Sequence, residues 1–148
     1  MYVVIGSFGR IVRGAEEFPH GLDLTPSLRA ENLRRLEQAL RDLEAVGLDG
    51  DQISLDEATV PNVALIQATS PAGELKIVPE PEGTGGYDDL RRAATREHLG
   101  RGLRPSVAST GDLARMLAAL GREQDAPKLQ ALRQVAELER SLGLEVTL

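Results

Sequence analysis

The apolar positions of the N-terminal part form short runs rather than long stripes. Tyr2–Ile5 is a continuous run rich in β-branched residues, and Leu22–Leu24 is a second short run. Both are typical of buried strands. Between them, Phe8–Arg13 predicts a short helix. The chain therefore begins with a strand, a tight turn, a helix and a return strand.

The clearest helical pattern is predicted from about Ala30 to Val46. Thr25-Pro26-Ser27 resembles a helix start, and Gly47 is a natural stop. Leucines recur there at spacings of three and four, which makes one apolar stripe for a core. These leucines are Leu33, Leu36, Leu40 and Leu43.

Two hairpins are predicted further along the chain. Val63–Thr69 and Leu75–Val78 are strand-like and flank the turn Ser70–Gly73, which has a proline early and a glycine late. An antiparallel pair there makes the sheet mixed. Tyr87–Thr95 predicts a short helix. A second, smaller pair is predicted where Glu97–Leu99 and Leu103–Val107 flank Gly100-Arg101-Gly102.

The C-terminal part, residues 109–142, predicts a helical extension of the same domain. Ser109 is a helix cap with Asp112 three positions on, Gly121 is a stop, and Asp125 caps a last helix. The apolar stripe expected for the last helix is Leu129, Leu132, Val135, Ala136, Leu138 and Leu142, with Gly143 after it. The final residues, Glu145–Leu148, predict an edge strand or a loose tail. The whole chain, 1–148, is expected to be a single α/β (α+β) domain, with a mixed, partly antiparallel β-sheet flanked by helices.

Composition narrows the classes of function. The net charge of −6 and the pI near 5.0 argue against broad electrostatic binding to DNA or RNA, although local basic patches remain at Arg91-Arg92 with Arg96 and at Arg101 with Arg104. The chain has no cysteine and only two histidines, which argues against disulfides and zinc. No run has membrane-spanning length and no signal-peptide pattern is present, so a cytoplasmic protein without membrane contact is expected.

The first turn is the strongest candidate for ligand chemistry. Gly6 allows a sharp turn and the close approach of a ligand, and Ser7 offers a hydroxyl that could cap the helix or bind a phosphate oxygen. These two residues are the predicted nucleotide- or phosphate-binding positions. The alternative is an ordinary strand-to-helix turn. The following Glu16-Glu17 pair is interpreted as part of a solvated loop, and His20 as a surface residue.

Several segments in one order resemble a known family. Ile5-Gly6-Ser7, then thirteen residues, then Gly21-Leu22-Asp23-Leu24 is similar to the signature of the polymerase-β-like nucleotidyltransferases. Downstream segments resemble a small bacterial branch of that family. These segments are Leu75–Gly83, Gly86–Leu90, Val107–Leu113, Met116–Ala119 and Gly121–Asp125.

The resemblance implies transfer of a nucleoside monophosphate from a triphosphate, with two Mg²⁺ ions held by three carboxylates. The first of the three falls on Gly21, the second on Asp23 and the third on Lys76. Asp23 is thus the one retained metal-binding and catalytic candidate. Glu74 lies two residues before Lys76 and is a weak substitute, about 6–7 Å away along the strand.

Basic positions of the branch are also absent. Glu17, Leu117 and Gln124 stand where relatives often have arginine or lysine. The resemblance therefore predicts a catalytically inactive or degenerate nucleotidyltransferase-fold protein that needs no cofactor. Relatives in this branch occur in bacterial toxin–antitoxin pairs, which suggests a binding or regulatory role with a protein or RNA partner, and homo-oligomers are possible.

Two alternatives remain open at the level of sequence. One is an active enzyme that uses Mg²⁺ and a nucleoside triphosphate to modify a protein or an RNA, with Asp23 and Glu74 as an unusual ligand pair. The other is a sensor that binds a phosphate at Gly6 and Ser7 without metal.

Overall fold

In a computed structural model that describes residues 1–143, the chain forms one mixed sheet of seven strands with five α-helices. The strands are β1 (Tyr2–Ile5), β2 (Leu22–Pro26), β3 (Val46–Gly47), β4 (Ile66–Ser70), β5 (Gly73–Ile77), β6 (Thr95–Arg96) and β7 (Ser106–Val107). The helices are α1 (Gly6–Val12), α2 (Ala30–Asp42), α3 (Tyr87–Leu90), α4 (Thr110–Leu120) and α5 (Ala126–Ser141). The predicted α+β class with C-terminal helices is confirmed.

The sheet has the order β3-β4-β5-β2-β1-β7-β6. Strand β1 pairs antiparallel with β2 and parallel with β7, and β2 pairs parallel with β5. The hairpins β4–β5 and β6–β7 are both antiparallel. The mixed sheet predicted from the two hairpins is therefore correct, and β2 lies between β1 and β5.

Each face of the sheet carries its own core. On one face, Leu33 and Leu40 of α2 pack with Leu24 and Ile77 of the sheet. On the other face, the sheet packs against α3, α4 and α5. The buried residues of that second cluster are Val3, Ile5, Leu90, Ala108, Leu113, Met116, Leu117 and Leu132. Val3 and Ile5 of β1 belong to this second cluster, and Val4 on the opposite face is also buried, which explains why β1 is apolar at consecutive positions.

The predicted start of the first long helix at about Ala30 is confirmed, but the helix ends earlier than predicted, and the helix-start signal before it was wrong. Thr25 and Pro26 belong to β2 rather than to a helix start, and α2 ends at Asp42. Glu44 takes a left-handed conformation (φ 57°), and the amide of Ala45 donates to the carbonyl of Leu40. The chain reverses there, so Val46 is free to pair with Thr69 in β4 instead of continuing the helix.

The second hairpin forms between the predicted segments, where the amide of Glu97 donates to the carbonyl of Pro105 and the amide of Leu99 to that of Leu103. Its regular strand pair, however, includes Thr95 and Arg96, which were predicted as helix or left unassigned. The helix α3 ends at Leu90, and Thr95 and Arg96 pair with Val107 and Ser106. Arg13 explains the position, because its guanidinium donates to Thr95 Oγ1 and to the carbonyl of Val107, both at 2.8 Å. A side chain 82 residues away in sequence thus helps to hold this edge of the sheet.

The C-terminal helices follow the predicted stops more closely than the predicted caps. Ser109 Oγ accepts from the Asp112 amide at 3.0 Å, and Gly121 ends α4 with φ 62°. The Asp125 side chain makes no cap hydrogen bond; its carboxylate accepts from Arg122 Nε instead. Leu138 and Leu142, expected in the core, are 58% and 62% exposed.

Two further observations concern the last residues of the chain and the possibility of a membrane-spanning helix. The predicted edge strand or tail at Glu145–Leu148 lies outside the described residues. Within residues 1–143, no helix has both the length and the apolar character needed to cross a bilayer.

Candidate functional site

The predicted site residues come together where β1, β2 and β5 lie side by side. Ile5 is opposite Asp23, and Asp23 is opposite Lys76 in the strand register. Residues opposite each other on neighbouring strands point to the same face, with strands about 4.8 Å apart. The carboxylate of Asp23 and the ammonium group of Lys76 therefore share one face of the sheet.

The carboxyl group of Asp23 is partly buried, and this burial raises its pKa above the ordinary value of 3.8. The positive charges of Lys76, Arg10 and His20 lower it in part. Within residues 1–143, Asp23 forms no ion pair shorter than 4.0 Å. The group is thus held in a cationic but poorly solvated environment without a close counter-ion.

Gly6 lies directly against this carboxylate. Its φ is +68°, and a Cβ built on it would lie 2.5 Å from Asp23 Oδ2. A side chain is therefore excluded at position 6 by the backbone conformation and by the neighbouring carboxylate. Gly6 was predicted to allow the close approach of a ligand, and in the structure the side chain of Asp23 is the group that approaches it.

Ser7 does not cap α1, which was one of its two predicted roles. Ile5 occupies the cap position and makes no side-chain hydrogen bond there. The Ser7 hydroxyl is buried and accepts from the backbone N–H of His20 at 3.1 Å. Ser7 therefore ties the start of α1 to the loop that enters β2.

The first carboxylate position of the family pattern has an unusual backbone. Gly21 has φ +95°, and a Cβ on it would lie 2.7 Å from the carbonyl oxygen of Glu74. A conformation of this kind favours glycine strongly. An aspartate at position 21 would therefore require a change of the local backbone as well as of the side chain.

Glu74, the weak metal-ligand candidate, is exposed and pairs with Thr69 across the β4–β5 hairpin. In the part of the chain that the structure describes, no group of three or more His, Asp or Glu side chains is placed to hold a metal ion. Asp23 and Glu74 share a face by strand alternation, but they belong to different strands and have no third partner there.

A partly buried ion pair beside the site went unnoticed in the sequence. Arg10 Nε donates to Glu17 Oε2 at 2.6 Å and Arg10 Nη2 to Glu17 Oε1 at 3.0 Å, in a two-pronged contact. The Glu17 side chain is only 7% exposed, so its assignment to a solvated loop was wrong. The seven-residue separation crosses a helix end and a loop, and no periodic pattern signals it. The nearest basic residue of α1 is thus already neutralised.

The raised pKa of Asp23 gives a prediction for stability. The folded protein binds a proton on the Asp23 carboxylate more tightly than the unfolded chain does. The stability that this proton contributes is therefore complete below pH 3.8, and it is lost as the pH rises through the pKa of Asp23 in the folded protein. Asp23→Asn should therefore stabilise the protein at pH 7 more than at pH 3. Urea unfolding at both pH values measures the difference.

The control for that measurement is Asp51→Asn, which removes a negative charge from an exposed side chain. If Asp23→Asn shows the same difference from wild type at both pH values, the partly buried, poorly solvated state of Asp23 is refuted.

The described groups do not form a metal centre. They are the half-buried carboxylate of Asp23, the ammonium group of Lys76 on the next strand, and a turn at Gly6 that has no room for a side chain. No protein-family model matches this chain, and no curated protein is significantly similar to it in sequence.

Proposed function

We propose that this chain is a binding protein with a nucleotidyltransferase-like scaffold and a degenerate catalytic centre, and that it acts on a partner protein in a regulatory, antitoxin-like manner. The observation that carries the proposal is the register of β2 and β5, which sets Lys76 beside Asp23. The order β5-β2-β1 also supports it, since the scaffold implied by the resemblance brings the three carboxylate positions onto adjacent strands.

The electrostatics of this pair disfavour bound cations. Two like unit charges 4 Å apart repel by about 4 kcal/mol at an effective dielectric constant of 20. A divalent ion held by Asp23 would experience this repulsion from Lys76 twice over. One carboxylate offers too little attraction in return, because Mg²⁺ sites in proteins usually combine carboxylates with substrate phosphates.

The surroundings are equally unfavourable for a triphosphate. Arg10 is engaged by Glu17, and the turn at Gly6 lies against the negative charge of Asp23. The Ser7 hydroxyl is buried on the amide of His20. A phosphate-sensing role at Gly6 and Ser7 has little support for the same reasons.

Calorimetry tests the proposal. Each of the four ribonucleoside triphosphates is titrated into the protein with Mg²⁺ or Mn²⁺, and no saturable heat is expected. The same titrations with Asp23→Ala should look identical to wild type. Incubation with radiolabelled triphosphates should transfer no label to protein or RNA.

The opposite result identifies the alternative function. Saturable, metal-dependent heat that disappears in Asp23→Ala, or label transferred to a protein or RNA, would establish an active metal-dependent nucleotidyltransferase and overturn the proposal.

A further inference from the structure

A wide groove lies on the sheet face opposite Asp23. Because side chains alternate along a strand, Tyr2, Val4 and Leu22 point away from the face that carries Asp23. These three residues line a groove of about 1120 Å³, bordered by Leu43 at the end of α2. The groove therefore lies mainly on the other face, and it borders the degenerate centre where Gly21 and Glu74 also line it.

The groove marks a part of the sheet that no described helix covers. Helix α2 packs over β2, β5 and β4. Residues of β1, β7 and β6 line the groove, together with residues at the ends of β2, β4 and β5. The three strands β1, β7 and β6 span about 10–14 Å. An α-helix with its side chains is about 10–12 Å across. The uncovered strip thus has the width of one helix.

Apolar side chains are exposed along this strip. Tyr2 is 41% exposed and Leu103 is 61% exposed, and both line the groove together with Phe8 and Tyr87. Three of the four aromatic residues of the chain are thus found there. Contiguous exposed apolar surface of this kind is typical of an interaction site.

The charge on one side of the groove is positive in a protein that is acidic overall. Residues 91–104 contain five arginines and a single acid, Glu97, which is paired with Arg13. Arg96 and Arg104 line the groove, and among residues 1–143 neither has a carboxylate within 4.0 Å. The lone carboxylate among the described lining residues, Glu74, comes from the β4–β5 hairpin.

We infer that this groove binds an amphipathic helix of a partner protein, with leucine-like side chains against the sheet and carboxylates facing Arg96 and Arg104. The inference rests on the proposed function, because it assigns the surface through which that regulatory protein would bind its partner. The size favours a helix, since pockets for small molecules usually enclose about 300–1,000 Å³ and surround most of their ligand.

Charge also distinguishes this partner from a second copy of the chain. Helix α5 carries the exposed Leu138, and the exposed Leu142 lies directly after its last residue. Its charged residues are three basic and two acidic, including the exposed Arg133. A basic helix does not complement a basic rim, so the geometry points to a different, acidic protein.

The absence of tryptophan from the sequence makes a direct binding test possible. The probe is a synthetic helix-forming peptide of about 20 residues, long enough to be helical. Its leucines recur at three and four, one tryptophan lies in the apolar stripe, and glutamates flank the stripe. A second peptide has lysine in place of every glutamate. As protein is added, the tryptophan emission of the acidic peptide should shift to shorter wavelength and reach saturation. The emission of the basic peptide should not change.

Two variants with matched controls locate the binding. Leu103→Asp should weaken binding of the acidic peptide at least tenfold, because it places a charge on the apolar floor, and Arg104→Glu about fivefold. Leu138→Asp and Arg133→Glu make the same changes at exposed positions of α5 and should leave binding unchanged.

The possible outcomes are distinct. No saturable emission change with the acidic peptide, equal binding of the basic one, or equal losses in the α5 controls would overturn the inference. A concentration-dependent dimer in sedimentation that Leu103→Asp dissolves would also overturn it, by identifying a second copy as the occupant. Metal-dependent nucleotide heat would refute the proposed function alone, since the peptide test reports on Leu103 and Arg104 and not on Asp23.

Discussion

Replacing Gly21 with aspartate, which introduces the first carboxylate of the nucleotidyltransferase pattern that the sequence resembles, is expected to destabilise the protein by about 3–4 kcal/mol and to create no metal site. The left-handed conformation costs an L-residue about 1–2 kcal/mol, and forcing a Cβ into packed atoms costs about 1–3 kcal/mol more. At Gly21 the obstructing atom is a backbone carbonyl oxygen 2.7 Å from the Cβ position, which cannot rotate away. Urea unfolding measures the loss.

A comparison with Gly100 separates the cost of the left-handed conformation from the cost of the steric clash. Gly100 has φ +93°, close to the +95° of Gly21, but a Cβ there would meet nothing within 4 Å. Gly100→Ala should therefore cost about 1–2 kcal/mol, and Gly21→Ala clearly more. If Gly21→Asp combined with Lys76→Asp folds with wild-type stability and binds Mn²⁺, then the carboxylates alone were missing and the backbone argument fails.

Truncating Leu132 to alanine should cost about 3 kcal/mol, within the range of 2–5 kcal/mol measured for buried leucines. Leu132 of α5 is fully buried and joins the core with Leu113 and Leu90. Its loss leaves a cavity where α5 meets the rest of the domain. Chemical denaturation followed by circular dichroism gives the change in the free energy of unfolding.

The control lies on the same helix. Leu138→Ala removes the same atoms from a side chain that is 58% exposed, so less than about 1 kcal/mol is expected. Equal effects of the two truncations would mean that α5 does not dock through Leu132, and the described C-terminal core would be wrong.

The sequence predicted those elements whose signal is local. The β-branched run gave β1 with its observed limits, and the Pro-Ala-Gly turn gave the β4–β5 hairpin. Ser109 and Gly121 fixed the ends of α4 through a cap hydrogen bond and a left-handed glycine. Each of these depends on residues within a few positions of one another.

The missed features depend on distant partners. The helix-start signal at Thr25-Pro26-Ser27 was wrong because Pro26 extends β2, where it lies opposite Tyr2 of β1. The part of the second hairpin at Thr95 and Arg96 was missed because Arg13 holds Thr95 from a distant part of the chain. For the candidate site, the resemblance predicted Asp23 and Lys76 on neighbouring strands, but the positive φ of Gly21 could only be seen in three dimensions.

The lengths of the outermost strands affect how the molecule meets other proteins. In the part of the chain that the structure describes, the sheet ends at β3 and at β6, each only two residues long. An unpaired strand is a template for adding a foreign chain, and short strands offer few free amides and carbonyls for this purpose. Fibre growth by strand addition is thereby disfavoured even at high concentration, and recognition depends on side chains rather than on shared backbone ladders.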